Sequence, residues 1–133
     1  MTKVRTLWAV ALATFVLCAL PLPAPAADAP AKVLVVLSVT VKGDRQVYLD
    51  KLKTFQAITK RLGVPAFRVW RATLAGENTD VLYIATEYAS HEAWAEANTK
   101  LTADPEAAKF SRDLDASGTR TVIDRSLMVD ATP

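Results

Sequence analysis

His91 is the only histidine in the sequence, and imidazole is the one side chain whose ordinary pKa, about 6.5, lies near neutrality. Such a group is the natural general base for taking a proton from a phenol or an activated carbon. Other residues could hold an aromatic molecule beside it. Trp94 and Asn98 are four apart in a helical stretch and therefore share a face, so one could stack on a ring while the other hydrogen-bonds its edge. Trp70, flanked by Arg68 and Arg71, offers a second aromatic platform, Tyr48 and Tyr83 supply phenolic hydroxyls, and Phe55 supplies an apolar wall. Each has a plainer reading. His91 follows Ser90, a helix-capping residue type, in a first turn that often faces solvent. Trp94 and the tyrosines would serve equally well as packed core residues, and Trp70 as an anchor of a subunit interface.

Other chemistries lack their residues. One histidine, no cysteine beyond Cys18 and no carboxylate cluster at ligand spacing cannot assemble the usual metal shell. No glycine-rich phosphate loop, no G-x-S-x-G and no internal repeat is present. The chain has 16 basic and 14 acidic residues, and two of the basic ones, Lys3 and Arg5, stand at its start. Beyond them the charge is balanced, which leaves no electrostatic footprint for nucleic acid or anionic lipid.

Lys3 and Arg5 precede an uncharged apolar run from Leu7 to Leu20, followed by Pro21, Pro23 and Ala24-Pro25-Ala26. This pattern predicts a secretory signal peptide over residues 1–26, with cleavage after Ala26 or at a neighbouring alanine. A membrane anchor would need about 20 apolar residues. The run is shorter, is broken by prolines and has no basic stop-transfer cluster after it. Leu17 before Cys18 argues against lipidation, so the expectation is an exported, periplasmic protein with no stable anchor, no disulfide and no thiolate chemistry.

Residues 27–32 read as a flexible lead-in and 33–133 as one domain. Val33–Val41 is apolar on both alternating faces, the mark of a central strand. Asp44 is an N-cap for a helix to about Leu62, in which Tyr48, Leu52, Phe55, Ile58 and Leu62 form one stripe, closed by Gly63 and Pro65. Phe67–Leu74 and Val81–Tyr88 are expected strands around a loop at 75–80. Ser90 caps a second helix through Trp94, Ala97 and Leu101, and Asp104-Pro105-Glu106 restarts a third, with Ala107, Phe110 and Leu114 inward. Thr119–Val129 is the last strand.

That order is βαββαβ, the ferredoxin-like α+β pattern: a four-stranded antiparallel sheet with helices on one face. Right-handed crossovers place both helical connections on the same side and leave the other bare. A second copy would cover it, so a homodimer is expected, with a monomer bearing a partly polar open face as the alternative. With Thr86-Glu-Tyr-Ala-Ser90 leading into a helix and Leu101-Thr-Ala-Asp-Pro-Glu106 breaking it, the chain resembles the dimeric α/β-barrel superfamily, in particular its antibiotic-biosynthesis-monooxygenase-like and NIPSNAP-like small domains.

The resemblance implies a ligand cavity between helices and sheet, with a small hydrophobic or aromatic ligand. Some members oxidise such compounds without metal or prosthetic group, so no cofactor is implied. His91, Asn98 and Tyr83 would then be catalytic, and Trp70, Trp94, Tyr48 and Phe55 ligand-binding. A non-enzymatic binding or interaction module is the competing reading. Haem-degrading members carry an asparagine on the first strand, where Ser38 and Thr40 stand here, which argues against haem chemistry.

Overall fold

The computed structural model describes residues 29–132; the leader over 1–26 lies outside the described residues. The chain runs β1 (Val33–Val41), α1 (Arg45–Arg61), β2 (Arg68–Arg71), a single 3-10 turn (Gly76–Asn78), β3 (Leu82–Tyr88), α2 (His91–Ala103), α3 (Pro105–Ala116) and β4 (Arg120–Val129). The strands form one antiparallel sheet in the order β2-β3-β1-β4. This is the ferredoxin-like α+β arrangement, with β1 and β3 inside and β2 and β4 at the edges.

Local chemistry starts and stops each helix. Asp44 accepts the Gln46 N–H at 2.7 Å to open α1, and Lys60 and Arg61 weight its last turn with the charge its C-terminal dipole favours. Gly63, at φ +70°, then turns the chain out through a left-handed conformation. Ser90 accepts the Ala93 N–H at 3.1 Å at the start of α2. Asp104 ends α2 and caps α3 by accepting the Ala107 N–H at 2.9 Å, with Pro105 at the first helical position. Arg61 donates to both Asp104 carboxylate oxygens at 3.0 Å and to Glu106 at 2.8 Å, tying the end of α1 to this junction.

All helices pack on one face of the sheet. Val33, Val35, Leu37, Val39 and Val41 of β1 and Leu82, Ile84 and Tyr88 of β3 meet them, in two adjoining clusters. One is built on Val39, Tyr48, Leu52, Phe67, Leu82 and Leu114, the other on Val33, Val64, Tyr88 and Ala97. Alternation along the strands sends Leu34, Val36 and Ser38 to the opposite face, beside Ala85 and Tyr83 of β3 and Arg68 and Trp70 of β2.

Two strands depart from the expected pattern. β2 spans only Arg68–Arg71 rather than 67–74, because the hairpin closes early: Ala72 donates to Val81 O at 3.0 Å and Asp80 donates to Ala72 O at 2.8 Å, after which the chain turns away. In β4 the register slips: Asp124 lies opposite Ser38 but Val122 opposite Val39, so Ile123 is an extra residue, a β-bulge.

Leu82 is 2% exposed and Leu74 is 99% exposed. Leu82→Ala is expected to lower unfolding free energy by about 2–5 kcal/mol, and Leu74→Ala to shift it by less than about 0.5 kcal/mol, both measured by urea denaturation. Asp104 is held below the ordinary carboxylate range, first by the Ala107 N–H and then by Arg61. A depressed carboxyl stabilises the fold above its unfolded pKa and loses that contribution as pH falls through the folded value. The melting-temperature deficit of Asp104→Ala should therefore be largest near neutrality and shrink as the medium is acidified; a constant deficit would count against this account.

Candidate functional site

A cavity of about 460 Å³ lies between the helices and the covered face of the sheet. Val35 and Leu37 of β1, Ile84, Thr86 and Tyr88 of β3, and Arg120, Arg125 and Leu127 of β4 form its floor. Leu52 and Phe55 of α1, Trp94, Asn98 and Leu101 of α2, and Phe110, Ser111 and Leu114 of α3 form its roof, with Phe67 closing one side. The Phe55 ring stacks against Phe110 at 5.0 Å between centroids and 18° between planes, and against Phe67 at 6.1 Å and 28°. These rings make a rigid aromatic wall of the kind that holds planar apolar molecules.

The polar groups are few and separated. Trp94 belongs to the cluster at the Val33–Val35 end, and Asn98 lies one turn further along the same side of α2. Tyr88 lines that end too; burial pushes its phenol pKa up, against the lowering effect of a hydrogen bond with Thr86, so the hydroxyl stays protonated at neutral pH. Arg120 and Arg125 occupy the other side, and among the described residues they are the only charged ones in the lining. The Arg120 side chain is 11% exposed. It donates from Nη2 to Asp115 at 2.7 Å and from Nη1 to the Tyr48 hydroxyl at 3.5 Å, while its buried Nε has no acceptor. Burial by itself would pull its pKa down, but the bonds to Asp115 and Tyr48 hold it above the ordinary value, so the cation is permanent.

The structure brings together three of the seven residues singled out from sequence: Phe55, Trp94 and Asn98 all line the cavity. Tyr48 lies just behind the lining, 1% exposed in the core, and reaches it through Arg120. His91 stays outside on the first turn of α2, exposed, with its ring 5.0 Å from that of Trp94 and tilted by 60°. Tyr83 and Trp70 are paired across β3 and β2 on the helix-free face, where Trp70 is 59% exposed. Strand parity separates them from the cavity: the neighbours of Tyr83 in sequence, Leu82 and Ile84, take the helix side. Sequence reasoning missed Arg120, Arg125, Thr86 and Ser111. Nothing in the primary pattern distinguishes these two arginines from solvated ones, because only the bulge at Ile123 settles where they point.

Among the described residues no group of histidine, cysteine, aspartate and glutamate side chains could hold a metal ion, and no helix is long and apolar enough to cross a membrane. No family model and no curated protein matches the sequence. Solved structures share the fold. SnoaB, a cofactor-independent oxygenase from Streptomyces nogalater, is 18% identical with a TM-score of 0.56 over 77% of this chain and 96% of its own. A single-substitution variant of SnoaB gives 17% and 0.57. A NIPSNAP family protein from Agrobacterium tumefaciens is 16% identical with a TM-score of 0.55, over 78% of this chain and 88% of its own.

Removing the Phe55 ring should cost about 3 kcal/mol, since two stacked partners lose a neighbour. Asn98 and His91 are exposed, so alanine at either should alter stability by less than about 0.5 kcal/mol. Guanidinium denaturation of the three variants checks this; a large loss at Asn98 would show that its role is structural.

Proposed function

We propose that the protein is an exported, periplasmic homodimer that binds a small apolar or aromatic molecule between its helices and sheet and oxidises it without a cofactor. The observation that carries the reading is the cavity itself: aromatic rings on one wall, and Trp94 with Asn98 at one end, in a space of about 460 Å³. Pockets of this size suit ligands of drug-like dimensions. The same fold in a cofactor-independent oxygenase agrees with it. In such a reaction the substrate is the sole electron donor and dioxygen the oxidant, one oxygen atom entering the substrate and the other leaving as water. The protein's share is to orient the ring, exclude water and steady developing charge. Trp94 would stack the substrate, and the Asn98 amide would hydrogen-bond its oxygen.

One observation favours the competing reading of a non-enzymatic binding module. Among the described residues the cavity lining contains no histidine, aspartate, glutamate or lysine, so no ready base of theirs stands beside a bound ring. An oxygenase of this design must act on a substrate acidic enough to lose its proton to solvent.

Pairing of two copies is supported by the surface. Trp70 and Met128 are 59% and 50% exposed on the helix-free face, and Ile123, the bulged residue of β4, is 51% exposed. The leader sequence supports export.

Native mass spectrometry should give twice the chain mass, and Trp70→Glu should shift the population to single chains; a monomeric wild type would defeat the pairing. With a panel of quinols, oxygen uptake should fall at least tenfold in Asn98→Ala, equivalent to about 1.4 kcal/mol of barrier, and stay unchanged in His91→Ala. Binding of the same quinols with no oxygen uptake in any sample would support the binding module instead.

A further inference from the structure

We infer that the occupant of this cavity is an aromatic acid, its ring between the phenylalanine wall and Trp94 and its ionised group toward Arg120 and Arg125. The inference rests on the reading that the cavity holds a small molecule, and it adds that molecule's charge and orientation.

The first support is an imbalance of charge. Among the described residues two guanidinium groups line the cavity and no carboxylate does. Asp115 pairs with Arg120 from outside the lining, but no ion pair among the described residues involves Arg125. Arg120 also has more donors than acceptors: its Nε has none, and its Nη1 bond to Tyr48 sits at the long limit of 3.5 Å. The free Arg120 Nε and the Arg125 guanidinium leave donors without acceptors on this side, and guanidinium is suited in geometry to a carboxylate.

The second support is backbone geometry. Arg120 and Arg125 are five positions apart, so in a regular strand they would face opposite sides of the sheet. The extra residue at Ile123 changes the phase. Arg120 comes to lie opposite Val41 and Arg125 opposite Leu37, both on the side that the helices cover. A bulge re-aims side chains in this way, and here it puts both cations on one cavity. Trp94 packs with Val33 and Val35, toward the opposite end of β1. An acid held by the arginines therefore presents its far end to Trp94 and Asn98, which makes that end the one open to chemistry.

The test compares 2-naphthoate with 2-naphthamide, equal in shape but differing in charge, by isothermal titration of the full-length protein in its native oligomer at neutral pH. The acid should bind at least tenfold more tightly than the amide, and Arg125→Gln should reduce that ratio to below threefold while leaving amide affinity unchanged. Arg120→Gln should do the same if it folds; Arg125 is exposed, so its variant gives the answer if Arg120→Gln does not. Equal affinities for acid and amide overturn the inference and leave small-molecule binding intact. A preference for the acid that survives Arg125→Gln also overturns it. Failure of both probes to bind overturns this inference together with the cavity reading on which it rests.

Discussion

The constraint on which the molecule turns is that β1 has hydrogen-bonded strands along both edges but helices over only one of its two faces. A strand in that position must satisfy its backbone through β3 and β4 and bury Val33, Val35, Leu37, Val39 and Val41 under α1, α2 and α3. The cavity exists because the helix layer does not close down on the whole covered face. Phe55 stacks on both Phe67 and Phe110 and forms the aromatic part of the lining, with Leu37 and Ile84 on the sheet side. Asn98, Ser111 and Arg125 in its lining are exposed, so the cavity communicates with solvent.

The uncovered face follows from the same constraint. In the order β2-β3-β1-β4 the two right-handed crossovers run in opposite directions from oppositely oriented strands, so both fall on one side, and the helix-free surface is mixed rather than charged: Trp70, Tyr83, Val36 and Met128 stand among Arg68, Glu87 and Asp124. Its aromatic members, Trp70 and Tyr83, lie across the sheet from Trp94 and Phe55, although the two sets look alike in sequence.

Electrostatics inside the cavity are as uneven as the packing. One end has Trp94, Asn98 and a neutral Tyr88; the other has Arg120, paired with Asp115, and Arg125, which is in no ion pair among the described residues. A neutral ring would be held by the walls in more than one orientation. An ionised group gives the cavity a direction, since low dielectric magnifies the difference between its ends.

The sequence by itself determined the order and type of nearly every element, because the signals involved are local: Asp44, Ser90 and Asp104 cap within three residues of themselves, Gly63 and Pro65 end a helix, and Pro105 starts one. It also determined that Phe55, Trp94 and Asn98 share the inward side of their helices, since a period of 3.6 is a property of the helix alone. The tertiary structure decided the rest. Which parity of β3 faces the helices is fixed by pairing with β1, so Tyr83 went outward while Thr86 and Tyr88 went in. The length of β2 was set by where the hairpin closed, and the side taken by Arg120 was set by one unmatched residue in β4. Register is a relation between two strands distant in sequence, and a one-residue slip reverses every side chain beyond it, so no pattern within a single strand can reveal it.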